Sequence, residues 1–584
     1  MKIAKPYILL FIVFIVLGTY YSTIFAPFNS VDDVNMINKL MNMESVNLAQ
    51  LFLPGARKAY YRPLLYLTFI FDNYVWGLQA SFMHLENILL HACNAVLVFL
   101  ISVRLFSSLK ITSQLPALFA ALLFALHPAN TEAVNWISGR TDVLAGTFLL
   151  LSLYLLIRSL GSPGKALTLF AGLAFFLACL CKDSAVFALP GILWLLVVFG
   201  ELVRSSDSGK GVMAFLRKNL YPGAVYCIAT AAYFVLRHQA LAAGDSGTRG
   251  VINAVVGRET QIFNTIRVLC KVFGFYVKKL FIPWPLNFTI VQVADSYVFL
   301  GIITLILGGY AMWKSRLAGA SLFFSFCIIV PALLVPLGRF AWTPVAERYL
   351  YMATPTFCIA LIFACTLIRP IYKHVRITAV AAGLIVAALV VLVSARNHVW
   401  QSNLMLFEDS VQKNPDFMPG RNELALALME AGQTDKAQEI IMSNSLPNDN
   451  KYSIITNLSR AIVLIDRGEL HEAKRLLLAA NYSPSNPLYP RYQETLIKVD
   501  ENLIAESQPG TVETQSLNKE IIGILLKLHE VTSDPFYYYR IGQRYLKVHR
   551  LNEAQNYFRL AYLHSPAKAH YHDAARRLSE NLKK

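Results

Sequence analysis

The chain of 584 residues is poor in charge. Only 15% of its residues are Asp, Glu, Lys or Arg, 55% are hydrophobic, and the mean hydropathy is +0.46. An ordinary soluble protein, in which about a quarter of residues are charged, is thereby excluded. Cysteine is scarce as well. All eight cysteines lie in or beside apolar runs and none follows Cys365, so the C-terminal part can form no disulfide. No metal-type Cys spacing occurs, and the C-x-C of Cys179 and Cys181 falls inside an apolar segment as packing residues. Acidic residues are few before residue 396, with 14 Asp+Glu against 30 Lys+Arg, whereas residues 396–584 hold 22 against 23. The basic excess thus belongs to the apolar part, where it reads as membrane topology rather than nucleic-acid binding. The opening MKIAKPYILLFIVFIVLGTYYSTIF has the basic start of a signal peptide but no small-residue cleavage site, and reads as an uncleaved first helix.

Apolar runs are what the chain has in abundance, and they stop near Ala395. Each is long enough, at about 17–25 residues, to cross a hydrocarbon core of about 30 Å. The chain therefore divides into a membrane domain, 1–395, and a domain, 396–584, without such runs. Candidate spans are 7–26, 84–105, 115–127, 142–159, 166–182, 184–203, 220–237, 297–313, 318–337, 349–368 and 376–395, about eleven in all. With the N-terminus cytoplasmic, the cytoplasmic turns carry Arg104 and Lys110, Arg158 and Lys165, Arg204 with Lys210, Arg217 and Lys218, Lys314 and Arg316, then Arg369, Lys373 and Arg376. That thread follows the positive-inside rule, and its odd count sends residues 396–584 to the other side. The segment 265–285 is interrupted by Arg267, Lys271, Lys278 and Lys279 and suits a helix lying in the interface.

The C-terminal part reads as helical hairpins. Gly542, Tyr545, Ala554, Phe558, Ala561 and Pro566 fall at the offsets of a tetratricopeptide repeat. Around Ala425–Ile441 and Ala461–Ala480 the pattern recurs more weakly, with Gly432 and Gly468 at turns and Ala437 and Ala473 at close contacts. Such arrays present concave surfaces to extended peptides; the alternative is an array that only braces the membrane domain.

On this topology four separated regions put polar groups at one, non-cytoplasmic face. Asp32 and Asp33 follow the first helix, HPANTEAVNWISGRTD (127–142) forms the second outer loop, Lys182 and Asp183 end a span, and AERYLYM re-enters the membrane. Ionisable groups at membrane depth are costly and mark function. Transfer of a sugar from a lipid carrier needs a base for the acceptor hydroxyl and cations for the departing phosphate. A carboxylate of the Asp32–Asp33 pair suits the base, its pKa lifted by lipid and by its neighbour, although an Asp there also serves as a helix N-cap. Arg348 can grip phosphate oxygens while Tyr349 and Tyr351 sit at headgroup level. Lys182, Arg62 and Arg140 are further cations. His84 and His91 share a helix face, but a pair alone makes no metal cage, and no metal or cofactor is expected.

These stretches resemble a known family. YYRPLLYLTF (60–69), WGLQASFMHLENILLHACNAVLVF (76–99), ALLFALHPANTEAVNWISGRTDVLAGTFLLL, CLCKDSAV and ERYLYM are similar to the transmembrane and tetratricopeptide-repeat protein O-mannosyltransferases and their bacterial homologues, which are C-type membrane glycosyltransferases. The resemblance implies an all-α fold: a polytopic membrane helix bundle of C-type glycosyltransferase architecture with a C-terminal α-solenoid of tetratricopeptide repeats. It implies a polyprenyl-phosphate-linked sugar as donor, inversion at the anomeric carbon, and a protein Ser or Thr hydroxyl as acceptor. The family's paired acidic motif falls on Asp32 and Asp33, with Asp32 as the base. Arg348, Lys182 and Arg140 are the expected donor-phosphate ligands, and Asp142, Glu132, His127, Arg62 and Tyr351 the expected substrate contacts. The chain departs in having Lys182–Asp183 where many relatives have Lys-Glu, and Asn130 where His is common. The expected partners are the lipid-linked sugar, an acceptor protein held by the repeats, and the bilayer, with no nucleic acid. The expected location is a bacterial inner membrane with the repeats periplasmic. A lipid or polysaccharide acceptor, and a non-catalytic scaffold, remain as alternatives.

Overall fold

The computed structural model describes residues 4–41, 48–53, 60–160, 165–204, 212–241, 262–338, 343–367, 375–442, 450–479, 484, 489–566 and 569–582. Lys210, Arg369 and Lys373 lie outside the described residues. Among those described the secondary structure is helical, and the β-pairing is one antiparallel bridge between Ile290 and Val345.

The chain forms two compact units, one reaching Asn414 and one running from Pro415 to Lys584. Packing thus changes at 414, whereas hydropathy changes at 396. The helix Asn403–Lys413 explains the difference, because its apolar side chains serve the first unit. Trp400 and Phe407 lie 5.2 and 6.2 Å, ring centre to ring centre, from Phe288. The Lys413 ammonium donates to the carbonyl of Leu286 at 2.7 Å, and the Asn414 amide to that of Thr289 at 2.5 Å.

In the first unit each apolar stretch read from the sequence coincides over most of its described residues with helix. Among the described residues seven helices are long and apolar enough to cross a membrane: Lys5–Phe25, Ala80–Ser108, Arg140–Leu160, Asn219–Ala240, Tyr297–Lys314, Arg316–Gly338 and Ile377–Val399. Leu115–Ala125 and Pro128–Asn135 form one bent candidate, with a break of 46°. The break falls at His127 because the residue before a proline is pushed out of the helical region, and His127 is indeed extended there. Lys165–Cys181, Asp183–Val198 and Thr354–Thr366 are shorter apolar helices.

Of the segment 265–285, residues 265–281 belong to the helix Ile262–Phe281, whose apolar residues Val272, Phe273, Tyr276, Val277 and Leu280 are buried. Gly274 and Gly301 let this helix cross Tyr297–Lys314 closely; a Cβ on either would come within 2.1 Å of a backbone carbonyl of the other helix. Its cations divide. Arg267 and Lys271 pair with exposed Asp295, whereas Lys279 is buried and bonded to Glu347 at 2.5 Å rather than set at the surface.

Arg140–Leu160 and Lys165–Cys181 are packed side by side. A helix of 21 residues is about 30 Å long at about 1.5 Å per residue, so Arg158 and Lys165 stand at one end of this antiparallel pair and Asp142 and Lys182 at the other. That arrangement gathers polar groups at the second end.

The second unit is a series of helical hairpins, in order Met418–Glu430 with Thr434–Met442, Asn450–Asp466 with Leu470–Ala479, Tyr489–Glu506 with Val512–Thr532, and Phe536–Lys547 with Leu551–His564, followed by His572–Asn581. Gly432 and Gly468 take positive φ, +73° and +78°, at the first two turns, where an L side chain would be strained. In the last hairpin a Cβ on Gly542 would meet the Phe558 ring at 2.8 Å, so glycine lets the ring fill the space between the helices. Residues 507–511 form a short turn between the long helices Tyr489–Glu506 and Val512–Thr532.

Candidate active site

The first loop is shaped around Asp33. Its Oδ2 accepts the backbone N–H of Asn29 at 3.0 Å, and its Oδ1 accepts both the backbone N–H and the hydroxyl of Ser138. At 1% exposure Asp33 is a tether joining the first loop to the second. Burial pushes its carboxyl up to about 6, against the pull of the Ser138 and Asn29 donors. Gly139 makes the tether possible, because a Cβ there would fall 2.5 Å from the carbonyl oxygen of Ala133.

Asp32 is arranged differently. Its backbone carbonyl accepts the N–H of Met36 and starts the helix Asp33–Met41, while its carboxylate makes no hydrogen bond to the described residues. The residue as a whole is exposed, yet the protein crowded around its carboxyl raises the pKa above the ordinary value. Arg348 and Arg62 pull in the opposite direction, which places both guanidinium groups within its field.

Arg348 rides on the 3-10 turn Glu347–Leu350. Its guanidinium bonds to Glu132 Oε1, while Glu132 Oε2 accepts the backbone N–H groups of Glu347 and Arg348 at 2.9 and 3.1 Å. The rings of Trp136 and Tyr349 each lie 4.9 Å from its charge. Glu132 therefore fixes both the turn and the cation, leaving the Arg348 side chain 17% exposed. Behind the turn Glu347 is itself buried against Lys279.

Lys182 sits 5.4 Å from the centre of the same Tyr349 ring and bonds to Asp142 Oδ1. Asp142 Oδ2 is buried and has no partner among the described residues. Arg62 and Arg348 both repel the Lys182 ammonium. Arg62 lies over Tyr60, 4.4 Å from the ring centre, and 3.5 Å from Asp183. Asp183 also accepts the hydroxyl of Tyr233 at 2.8 Å and pairs with Arg237 at 3.5 Å. Asp32, Arg62, Glu132, Asp142, Lys182 and Arg348 thus form one electrostatic cluster.

Three other expected site residues stand apart from it. Arg140 is 1% exposed and committed inward: Nε to Asn87, Nη1 to Asp72 at 2.5 Å and Glu86 at 3.0 Å, and Nη2 to the carbonyl of Met83. Few of its donors are left for a phosphate. His127 is buried, with Nε2 bonded to the carbonyl of Leu280 and Nδ1 accepting the N–H of Ala129 as a cap. Tyr351 lies in the helix core instead of at headgroup level, and its hydroxyl is bonded to His91 at 2.8 Å and Asn94 at 2.9 Å. Among the described residues no three His, Cys, Asp or Glu side chains gather as a metal cage.

Ser138, Lys279 and Arg237 are missed by sequence reasoning. Ser138 could have been suspected from its place beside Gly139 in SGRTD. Lys279 and Arg237 find carboxylates 68 and 54 positions away, so nothing in the local sequence signals their pairing.

No protein-family model matches the chain. Individual proteins do. The chain is 24% identical over 445 residues to the human "Protein O-mannosyl-transferase TMTC3", covering 70% of this chain and 47% of that protein. It is 26% identical over 408 residues to the human "Protein O-mannosyl-transferase TMTC4", 61% of this chain and 53% of that protein. Over 137 residues it is 38% identical to "Protein O-mannosyl-transferase tmtc2" of Xenopus laevis, 23% of this chain and 16% of that protein. The chain spans about half the length of the first two of these relatives, and the resemblance read from its motifs extends to proteins that carry the O-mannosyl-transferase name.

Proposed function

We propose that the protein is an inverting glycosyltransferase that moves a hexose, mannose by the relatives' name, from a polyprenyl phosphate to a Ser or Thr hydroxyl of a protein. Asp32 is the base. The observation that carries this reading is its carboxylate, free of hydrogen bonds to the described residues and lying in the field of Arg348 and Arg62. As the acceptor oxygen attacks the anomeric carbon, its proton passes to Asp32. The bond from that carbon to the phosphate oxygen breaks on the opposite face, and its electron pair leaves with the phosphate. Arg348, Lys182 and Arg62 stabilise that charge, each preset by a carboxylate so that little reorganisation accompanies the reaction. Asp142 Oδ2, buried and unpartnered among the described residues, is placed to accept a sugar hydroxyl.

In this reading the cluster faces the non-cytoplasmic side of a bacterial inner membrane, and the helical hairpins, tetratricopeptide-type repeats, hold the acceptor protein there. The test uses the full chain in lipid nanodiscs with polyprenyl-phosphate mannose and a Ser/Thr peptide, read by mass spectrometry. Addition of one hexose by the wild type and none by Asp32→Asn is expected; equal hexose addition by both would sink the assignment of the base.

A further inference from the structure

The end of the helix bundle remote from the candidate site carries charge of one sign. No Asp or Glu occurs between Glu86 and Glu132 or between Asp142 and Asp183, and these two stretches supply Arg104, Lys110, Arg158 and Lys165. Arg140 bonds to Asn87, and Asn94 to the carbonyl of Val143, so the helices Ala80–Ser108 and Arg140–Leu160 run in the same direction and end together. There Arg104 of the first and Arg158 of the second share one ring, their guanidinium carbons 5.7 and 5.9 Å from the centre of Tyr154. Both arginines are exposed, and neither has an ion-pair partner among the described residues.

Helix-end charge does not absorb these cations. Two helix C-termini together offer about one negative charge. Lys165 adds a third cation at this end and opens its own helix, where a positive charge is repelled. The last carbonyls also have other donors. The hydroxyls of Ser107 and Ser108 bond to the carbonyls of Arg104 and Leu105 at 2.9 and 2.7 Å, and that of Ser159 to the carbonyl of Leu156 at 2.7 Å. Two guanidinium groups thus stand beside one ring without a carboxylate to balance them.

We propose that Arg104 and Arg158 seat the phosphate of an anionic phospholipid beside Tyr154. Each guanidinium matches a pair of phosphate oxygens, and a basic cluster between spanning helices is the kind of place where such headgroups bind. Free phosphate would use the charge alone; a lipid uses the apolar surface as well. Val96 and Leu100 precede Arg104 by eight and four residues on the same helix face, and Leu151 precedes Tyr154 by three on its own; all three are part-exposed and can carry an acyl chain. On the topology read from the sequence this is the cytoplasmic leaflet, opposite the sugar-transfer site.

The test is native mass spectrometry of the full chain in detergent micelles doped with phosphatidylglycerol and phosphatidylcholine of equal chain length. The wild type should retain phosphatidylglycerol about tenfold or more in preference. Arg104→Gln and Arg158→Gln should each remove most of that preference without moving the melting temperature. Lys314→Gln, which removes an exposed cation from a different turn, should leave it intact. Equal retention of the two lipids, or an equal loss in Lys314→Gln, would overturn the proposal. Displacement of phosphatidylglycerol by millimolar inorganic phosphate would overturn the lipid as occupant. Lipid retention is read without turnover, so failure here leaves the transferase reading standing, and loss of transfer leaves the lipid seat standing.

Discussion

Ser138 donates twice to a single oxygen of Asp33, through its backbone N–H at 3.0 Å and its hydroxyl at 2.5 Å, across 105 residues of sequence. One member of the acidic pair is thereby fixed as a strut, and its neighbour is left with a carboxylate that makes no hydrogen bond to the described residues. Asp32→Asn should cut transfer by about 100-fold or more, as loss of a positioned base does, with an unchanged melting temperature. Asp33→Ala should instead destabilise the fold by about 2 kcal/mol or more, because buried donors on Asn29 and Ser138 lose their acceptor. Thermal unfolding followed by tryptophan fluorescence, run beside the transfer assay, separates the two.

The acid limb of the rate profile should report Asp32. Its pKa lies above the ordinary carboxylate value, so the ionised base, and with it kcat/KM, should be lost as pH falls through that raised pKa. Arg62 lowers the pKa, and Arg62→Gln should move the limb to higher pH. A limb that stays in place would separate Arg62 from the base. Asp33 shapes stability with the opposite sign. The fold retains its proton up to about 6 against 3.8 for the ordinary group, so the native state binds more protons in that window. Stability therefore falls as pH rises between those values, and Asp33→Ala should remove this part of the slope.

Lys279 and Glu347 are almost wholly buried and 2.5 Å apart. Lys279→Met should cost about 3–5 kcal/mol, since it strands a charge behind the Arg348 turn, whereas Lys279→Met combined with Glu347→Leu should recover much of that loss. Denaturation midpoints of the single and double variants decide between these outcomes.

Gly139→Ala should lower both stability and transfer. A Cβ there meets the carbonyl of Ala133 at 2.5 Å, and relieving that clash pulls Ser138 away from Asp33. Gly523→Ala, with nothing within 4 Å of the added carbon, serves as the control and should be neutral or slightly stabilising.

The helices were legible in the sequence because apolar runs of spanning length leave few other structures open. The end of the first unit was not, since Asn403–Lys413 carries Phe407 on a helix too polar to register as membrane-associated. Within the candidate site, loop adjacency in the sequence suggests which groups meet, but it cannot tell an available cation from a committed one. Arg140 and Arg348 look alike as isolated basic residues near span ends. Only the folded chain brings Asp72, Glu86 and Asn87 around the first, and sets the second where its charge acts on Asp32, with its side chain partly exposed. Tyr351 shows the same limit: its hydroxyl is satisfied by His91 and Asn94, partners about 260 positions earlier.

The place where the first unit ends also dictates how it can be isolated. A fragment stopped at residue 396 would strip Trp400 and Phe407 from Phe288 and leave the carbonyls of Leu286 and Thr289 without Lys413 and Asn414. That wound surrounds Asn287, whose backbone N–H donates to Glu347, the partner of Lys279, so trimming at the hydropathy border should disturb the very turn that carries Arg348 unless it is moved past Asn414.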